Sequence, residues 1–423
     1  MRAAPARRTL ADLALVVAAK VLSVAALFLC SVLAARQLGA VAYGHFAAAL
    51  SLLLLVDAMA GSPLDLAVIR FGTLHVGEPE RVAALQTFLL RAKLAFAALL
   101  FMLAWPNATW LTALLLPGAD NALFVLLLAS IAALLLLRGY AVQLQVAQRF
   151  RMYAAIDVAL ALLRIGSVLA VWWLISAAGA FTYFAIYAIA AFVVLAITAL
   201  RMPQGLLRRP MPERADLRAL GTYVAGTAGI VVLGTVTGRA DVPLVSAVLG
   251  PEATGYYGVG TQLAAVGTML ATYIGIVTQP RVLGLVRAGR LGRALALNAI
   301  GAALLVLLLV LAGPTLLPLL VPLVFGDGFT ASIPVVEILL WGTCIDFLIM
   351  PFLLPYALQL ETRNCLRGEF LITVVYLLGM SWALGQGIDA VAWLVTGIRL
   401  TKLCFYSLLY LRTHGVHAAS EQQ

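Results

Sequence analysis

The sequence predicts an all-α integral membrane protein of about twelve transmembrane helices, built as two six-helix bundles related by a pseudo-two-fold axis along the membrane normal. Three observations carry this expectation. Apolar runs of bilayer length recur along the chain, arginine and lysine crowd alternate connections between them, and the two halves repeat each other at a nearly fixed offset. With 64% hydrophobic and 11% charged residues and a mean hydropathy of +1.05, too little polar surface remains to clothe a water-soluble fold.

A hydrocarbon core about 30 Å thick is crossed by roughly 20 helical residues. Such spans are expected over 11–35, 43–69, 83–105, 122–142, 154–175 and 179–200, and again over 220–248, 254–278, 294–321, 331–353, 370–384 and 391–411. The Arg-rich start followed by an apolar run is too long for a cleaved leader and contains Lys20, so the first helix is expected to be retained. If the amino terminus is cytoplasmic, that side collects nearly all loop arginines, from Arg2 and Arg70 through Arg209 and Arg293 to Arg412. The other side keeps Arg36 alone. This asymmetry sets the orientation, and an even number of spans then places both termini in the cytoplasm of a bacterial inner-membrane protein. Arg91, Lys93 and Arg138 fall in cytoplasmic halves of spans, from which long side chains snorkel. Trp105, Trp110, Trp172, Trp173, Trp382 and Trp393 fall near exterior ends, where indole prefers the headgroup level.

The formal net charge of +10 is carried by the cytoplasmic loops, which leaves no surface domain for nucleic acid. Cys30, Cys344, Cys365 and Cys404 lack metal or redox spacing and read as small buried hydrophobes. His45, His75, His414 and His417 form no metal-ligand pattern either. Neither a metal nor a cofactor is expected. No nucleophile elbow or phosphate-cradling glycine loop occurs, and every exterior connection is short, so an enzyme is not expected.

Leu38, Gly39 and Gly44 recur as Leu249, Gly250 and Gly255, and Arg70 as Arg281, 211 positions later. Tyr140-Ala141-Val142-Gln143-Leu144 recurs as Tyr356-Ala357-Leu358-Gln359-Leu360, with Arg151 answering Arg367, 216 positions later. Six spans return the chain to its starting side, so the halves share one orientation. The expected domains are an N-terminal bundle over 1–205, a cytoplasmic linker over 206–218 and a C-terminal bundle over 219–423; Pro203, Pro210 and Pro212 fall in or beside the linker. The Leu-Gly-x4-Gly element has a local reason to exist. Gly250 is expected to close a helix in the left-handed conformation while Pro251 opens the next, with the same geometry at Gly39. A structural hairpin accounts for this element better than a substrate role does.

Lys20, Arg164, Arg239, Arg399 and Lys402 lie well inside spans. Each charge at that depth costs about 2.5–3.5 kcal/mol on insertion scales, so lipid-facing placement is excluded for most of them. Arg399 and Lys402 share one face of the last helix and do not neutralise each other. Two readings remain open: a hydrated cavity lined with surplus positive charge, suited to an anionic headgroup, or structural pairing between helices with Asp57, Asp65, Asp157, Asp241, Glu337 or Asp346. Asp57 and Asp241 are candidates for a titrating, ion-coupling carboxylate, and equally for helix-to-helix hydrogen bonding. Tyr256 and Tyr257 at the exterior rim read as interfacial anchors.

Six plus six spans, the first turn Arg36-Gln37-Leu38-Gly39-Ala40-Val41-Ala42-Tyr43-Gly44, and Asp241 followed by Leu249-Gly250-Pro251-Glu252-Ala253-Thr254-Gly255-Tyr256-Tyr257 together resemble the Wzx-like polysaccharide flippases of the multidrug/oligosaccharidyl-lipid/polysaccharide exporter superfamily. The segment Leu319 to Phe329, with Gly326-Asp327-Gly328, resembles that family's second half. The resemblance implies a V-shaped pair of bundles around a cationic lumen, moving undecaprenyl-diphosphate-linked oligosaccharide to the outer leaflet by alternating access for surface polysaccharide biosynthesis. It implies membrane lipids, a polysaccharide polymerase and chain-length proteins as partners. The five deep cations are chemical candidates for that lumen, since no family motif singles one out. An ion-coupled drug antiporter of the same superfamily is the alternative, although its lumen is expected to be acidic. A major-facilitator sugar transporter is disfavoured because residues 70–81 lack the Gly-x3-Asp-Arg-type loop.

Overall fold

A computed structural model describes residues 3–175, 178–202, 210–287, 291–359 and 362–420. Among these residues there are twelve α-helices and no strand. The helices are α1 (Ala3–Leu74), α2 (Pro79–Ala104), α3 (Ala108–Leu115), α4 (Asn121–Val146), α5 (Phe150–Leu174), α6 (Ala180–Arg201), α7 (Arg214–Arg239), α8 (Asp241–Arg287), α9 (Leu291–Phe325), α10 (Ile333–Gln359), α11 (Thr362–Ala383) and α12 (Ile388–Ser420). A 3-10 turn, Asp327–Ser332, joins α9 to α10.

These twelve helices are not the twelve expected spans one for one. The stretch Leu15–Leu74 runs 60 residues, and a straight helix of that length would reach about 90 Å, roughly three hydrocarbon cores. It folds back instead. Ser31 and Tyr43, twelve residues apart, share a hydrogen bond between their hydroxyls at 2.6 Å, whereas a continuous helix would hold them about 18 Å apart along its axis. The reversal is at Gly39, with φ 69° and ψ 177°. Its counterpart in α8, Gly250, has φ 82° and ψ −179°. The two turns therefore match, as the repeat requires, but neither is the expected left-handed helical cap. Positive φ with extended ψ is a region open essentially to glycine alone, which is why each copy of the motif has glycine there.

Two other boundaries differ from expectation. The span expected over 220–248 is interrupted at Ala240, where α7 hands over to α8. The connection after α2 is not a bare loop but contains α3, announced by Trp105 stacked on Phe101 at 5.1 Å between ring centroids. The next helix, α4, starts where Asp120 caps it by accepting from the Ala122 amide at 3.1 Å.

The chain packs as two compact units, Met1–Gly255 and Tyr256–Gln423. In the first unit α1 is central and touches α2, α4, α5, α6 and α7. One core joins Ala67, Val68, Leu85, Leu89, Val142 and Val146 to Leu220 of α7. Around it, the Arg70 guanidinium lies 4.8 Å from the Tyr223 ring centre and Phe71 meets that ring edge-on at 6.1 Å. A second core packs Leu137 and Leu144 against Ile156, Leu160, Ala190 and Val194. In the second unit α10 packs on α9 and α12, and α11 on α12. Large apolar side chains such as Leu103, Leu162, Ile189 and Leu371 point outward and are well exposed, the arrangement expected where the surrounding solvent is hydrocarbon.

Candidate functional site

The candidate site is the set of charges held at depth in the helices. In the first unit α5 carries Asp157 and Arg164 seven residues apart, two turns along one face. Lys20 of α1 reaches Asp157, Nζ to Oδ2 at 2.8 Å, with its ammonium 5.2 Å from the Tyr153 ring centre. Arg164 makes no ion pair among the described residues. Its guanidinium lies 4.7 Å from the ring centre of Tyr187 on α6, and its Nε is buried without a hydrogen-bond partner. An aromatic face holds a guanidinium without neutralising it, so Arg164 keeps its charge where Lys20 is compensated.

Arg239 and Asp241 turn out to flank a helix break rather than sit within one span. Arg239 ends α7 and Asp241 begins α8, the ends at which helix dipoles favour a cation and an anion respectively. Arg239 is exposed, and lies within electrostatic reach of Arg138, Asp241 and Asp57. Asp57 has no solvent exposure; its Oδ2 lies 2.6 Å from Arg138 Nε, and its Oδ1 is buried without a hydrogen-bond partner.

In the second unit Arg399 and Lys402 of α12 face carboxylates on neighbouring helices. Arg399 Nη1 donates to Asp346 Oδ2 at 2.9 Å, an oxygen also approached by the Thr268 hydroxyl at 3.4 Å. Lys402 Nζ lies 3.1 Å from Glu369 Oε2, while the Tyr406 hydroxyl donates to Glu369 Oε1 at 2.7 Å. Gly342 makes room for the crossing arginine, since a Cβ there would lie 3.2 Å from its Nη1.

Three of the five deep cations are thus paired between helices, Arg164 is held by an aromatic ring, and Arg239 is exposed at a helix end. Lys20 and Arg164 converge on one face of α5. Lys93 and Glu369 escaped the sequence reading as members of ion pairs. Lys93, expected to snorkel, is 2% exposed and pairs with Asp65 at 2.7 Å; the spacing of α1 against α2 that joins them leaves no local trace. Glu369 was missed because the eleventh span was expected to begin at residue 370, whereas α11 begins at Thr362. A fifteen-residue span was too short to cross the core, and extending it backwards brings Glu369 inside. Tyr257 is fully buried and Tyr256 meets Phe329 edge-on at 6.3 Å, so neither is a free rim aromatic. No cluster of metal-ligating side chains occurs among the described residues.

By sequence the chain matches no protein-family model and no curated protein. Its fold does have likenesses among solved structures. The lipid II flippase MurJ in an inward closed conformation superposes with a TM-score of 0.73 at 12% identity, covering 93% of this chain and 86% of that one. An inward-facing multidrug resistance MATE family transporter of the MOP superfamily gives a TM-score of 0.67 at 12% identity, over 95% of this chain and 96% of that one. The Vibrio cholerae MATE transporter VcmN gives 0.63 at 14% identity, over 95% of this chain and 97% of that one. The chain therefore has the all-α, multi-pass membrane fold of these transport proteins.

Proposed function

We propose that this chain carries undecaprenyl-diphosphate-linked oligosaccharide across the bacterial cytoplasmic membrane by alternating access, for surface polysaccharide biosynthesis, with both termini cytoplasmic. In this reading the bundles 1–205 and 219–423, joined by 206–218, are the two halves that rock, membrane lipids surround them, and a polymerase and chain-length proteins receive the product. The observation that carries the reading is Arg164. A guanidinium held at membrane depth by a tyrosine ring, with no carboxylate partner among the described residues, retains the charge and the donors that a diphosphate engages bidentately. The Lys20–Asp157 pair beside it is partly open, with Lys20 39% exposed, so phosphate oxygens can take the place of Asp157 as the partner of Lys20. Arg239, Arg399 and Lys402 remain candidates of lower standing, the last two because Asp346 and Glu369 already engage them.

The fold shared with a lipid II flippase is consistent with this reading. Its test is export of surface polymer in a strain that depends on this chain. Arg164→Glu is expected to abolish export while the protein remains in the membrane at normal abundance, and Arg164→Lys to retain part of it. Full export from Arg164→Glu would overturn the proposal.

An ion-coupled antiporter of drugs or small molecules is the second reading, favoured by the wholly buried Asp57 with an unpartnered oxygen and by the MATE likenesses. Asp57, and with less support Asp241, would then be the coupling carboxylate. Drug efflux lost in Asp57→Asn, with polymer export unaffected in Arg164→Glu, would favour it.

A further inference from the structure

The two copies of the Leu-Gly-x4-Gly element touch each other. A Cβ placed on Gly44 would lie 1.8 Å from the Pro251 carbonyl oxygen, and one placed on Gly255 would lie 2.1 Å from the Ala40 carbonyl oxygen. Residues 40 and 44 of the first copy correspond to 251 and 255 of the second at the repeat offset of 211. The contacts are therefore reciprocal: the later glycine of each copy meets the residue after the turn glycine of the other. That is the signature of a two-fold axis passing between them. At this axis backbone meets backbone, with each glycine Cα–H directed at a carbonyl oxygen and no side chain between. These are weak bonds, and the close approach depends on two residues without side chains.

The crossing lies beside the Gly39 and Gly250 turns. Residues 241–255 are further tied down there by Ser246, whose hydroxyl donates to the Leu115 carbonyl at 3.1 Å. At its other end α7 is held differently. Arg81 donates through Nε to Asp216 Oδ2 at 2.8 Å and through a second N–H to Oδ1, and Glu78 accepts from its remaining arm at 3.1 Å. The helix is thus gripped by an ionic latch where it follows the linker and by a glycine crossing just beyond its far end.

We propose that the Gly44–Gly255 crossing is the closed seal of a gate, and that it separates when the turn end of the molecule opens. Glycine is required at both positions because a methyl group on either would hold the seal apart. The inference rests on the alternating-access part of the proposed function, and not on the identity of the cargo.

The test places spin labels at Val41 and Val248, which are 50% and 60% exposed, in the full chain with its four cysteines replaced, reconstituted in lipid. With both glycines intact, a dominant short distance and a minor longer one are expected. Gly44→Ala and Gly255→Ala should each turn the longer distance into the major population. A single short distance in the glycine-containing protein and in both alanine variants would overturn the proposal and leave a permanent seam. Should the alanine variants fail to fold, the glycine-containing protein decides alone: two distances support the gate, and one refutes it. Because the readout is a distance, loss of polymer export in Arg164→Glu and failure of the seal are separable results.

Discussion

Replacing Lys93 by methionine gives the sharpest energetic test of this architecture. Lys93 is 2% exposed, its Nζ lies 2.7 Å from Asp65 Oδ1, and Asp65 is 14% exposed. The cavity is built for the pair. A Cβ on Gly139 would lie 3.4 Å from Lys93 Cδ, and one on Gly61 would lie 3.6 Å from its Nζ. Lys93→Met keeps the aliphatic volume and strands a largely buried carboxylate. Removing one partner of a buried pair typically costs about 3–5 kcal/mol, roughly a hundredfold or more in the folded-to-unfolded ratio. Removing both charges, in Lys93→Met with Asp65→Leu, discards two desolvation penalties along with the attraction, and is expected to fall within about 1 kcal/mol of the parent. Lys20 and Asp157 form the internal control, since Lys20 is 39% exposed. Lys20→Met should cost less than Lys93→Met, because the Lys20 ammonium is already partly exposed in the parent. Denaturant-induced unfolding in mixed micelles, followed by helical circular dichroism, measures all three variants against the parent. Equal losses for Lys93→Met and Lys20→Met, or a double variant no better than Lys93→Met, would refute the reasoning.

Further outcomes are expected. Gly39→Ala leaves the added methyl group in open space but forces a side chain onto φ 69°, so a loss of about 1–3 kcal/mol from backbone strain alone is expected in the same unfolding assay. The hydrogen bonds from Arg81 hold the Asp216 carboxyl below the usual aspartate range. A carboxyl depressed on folding contributes stability that is fully present above its unfolded value of about 3.9 and is lost as pH falls through its lower folded value. Amide exchange protection around 213–217 should therefore hold steady from neutral pH down to about 4 and fall only below that, and Asp216→Asn should remove the acid step. Lys402→Met should leave Glu369 with only the Tyr406 hydroxyl and destabilise the α11–α12 contact, which a companion Glu369→Gln substitution should largely restore; thermal stability of the purified protein measures both.

The amino-acid order by itself determined what depends on solvent and on local backbone chemistry. Bilayer-length apolar runs are a property of each segment in its medium, so the membrane class and the helical content could be read from them, while the basic connections and the indoles at span ends supply an expected orientation. The repeated Leu-Gly-x4-Gly located both reversals, because positive φ with extended ψ admits little except glycine. Tertiary structure decided everything that rests on which helix lies beside which. Lys93 looked like a snorkelling side chain until α1 and α2 brought Asp65 against it, and Arg399 and Lys402 looked like surplus charge until α10 and α11 supplied Asp346 and Glu369. An ion pair forms over a few ångströms between residues up to 53 positions apart in the second unit, and nothing in the sequence near either partner records that distance. The same holds for Arg164: its depth was legible, but only packing placed a tyrosine ring beside it and so left its charge intact.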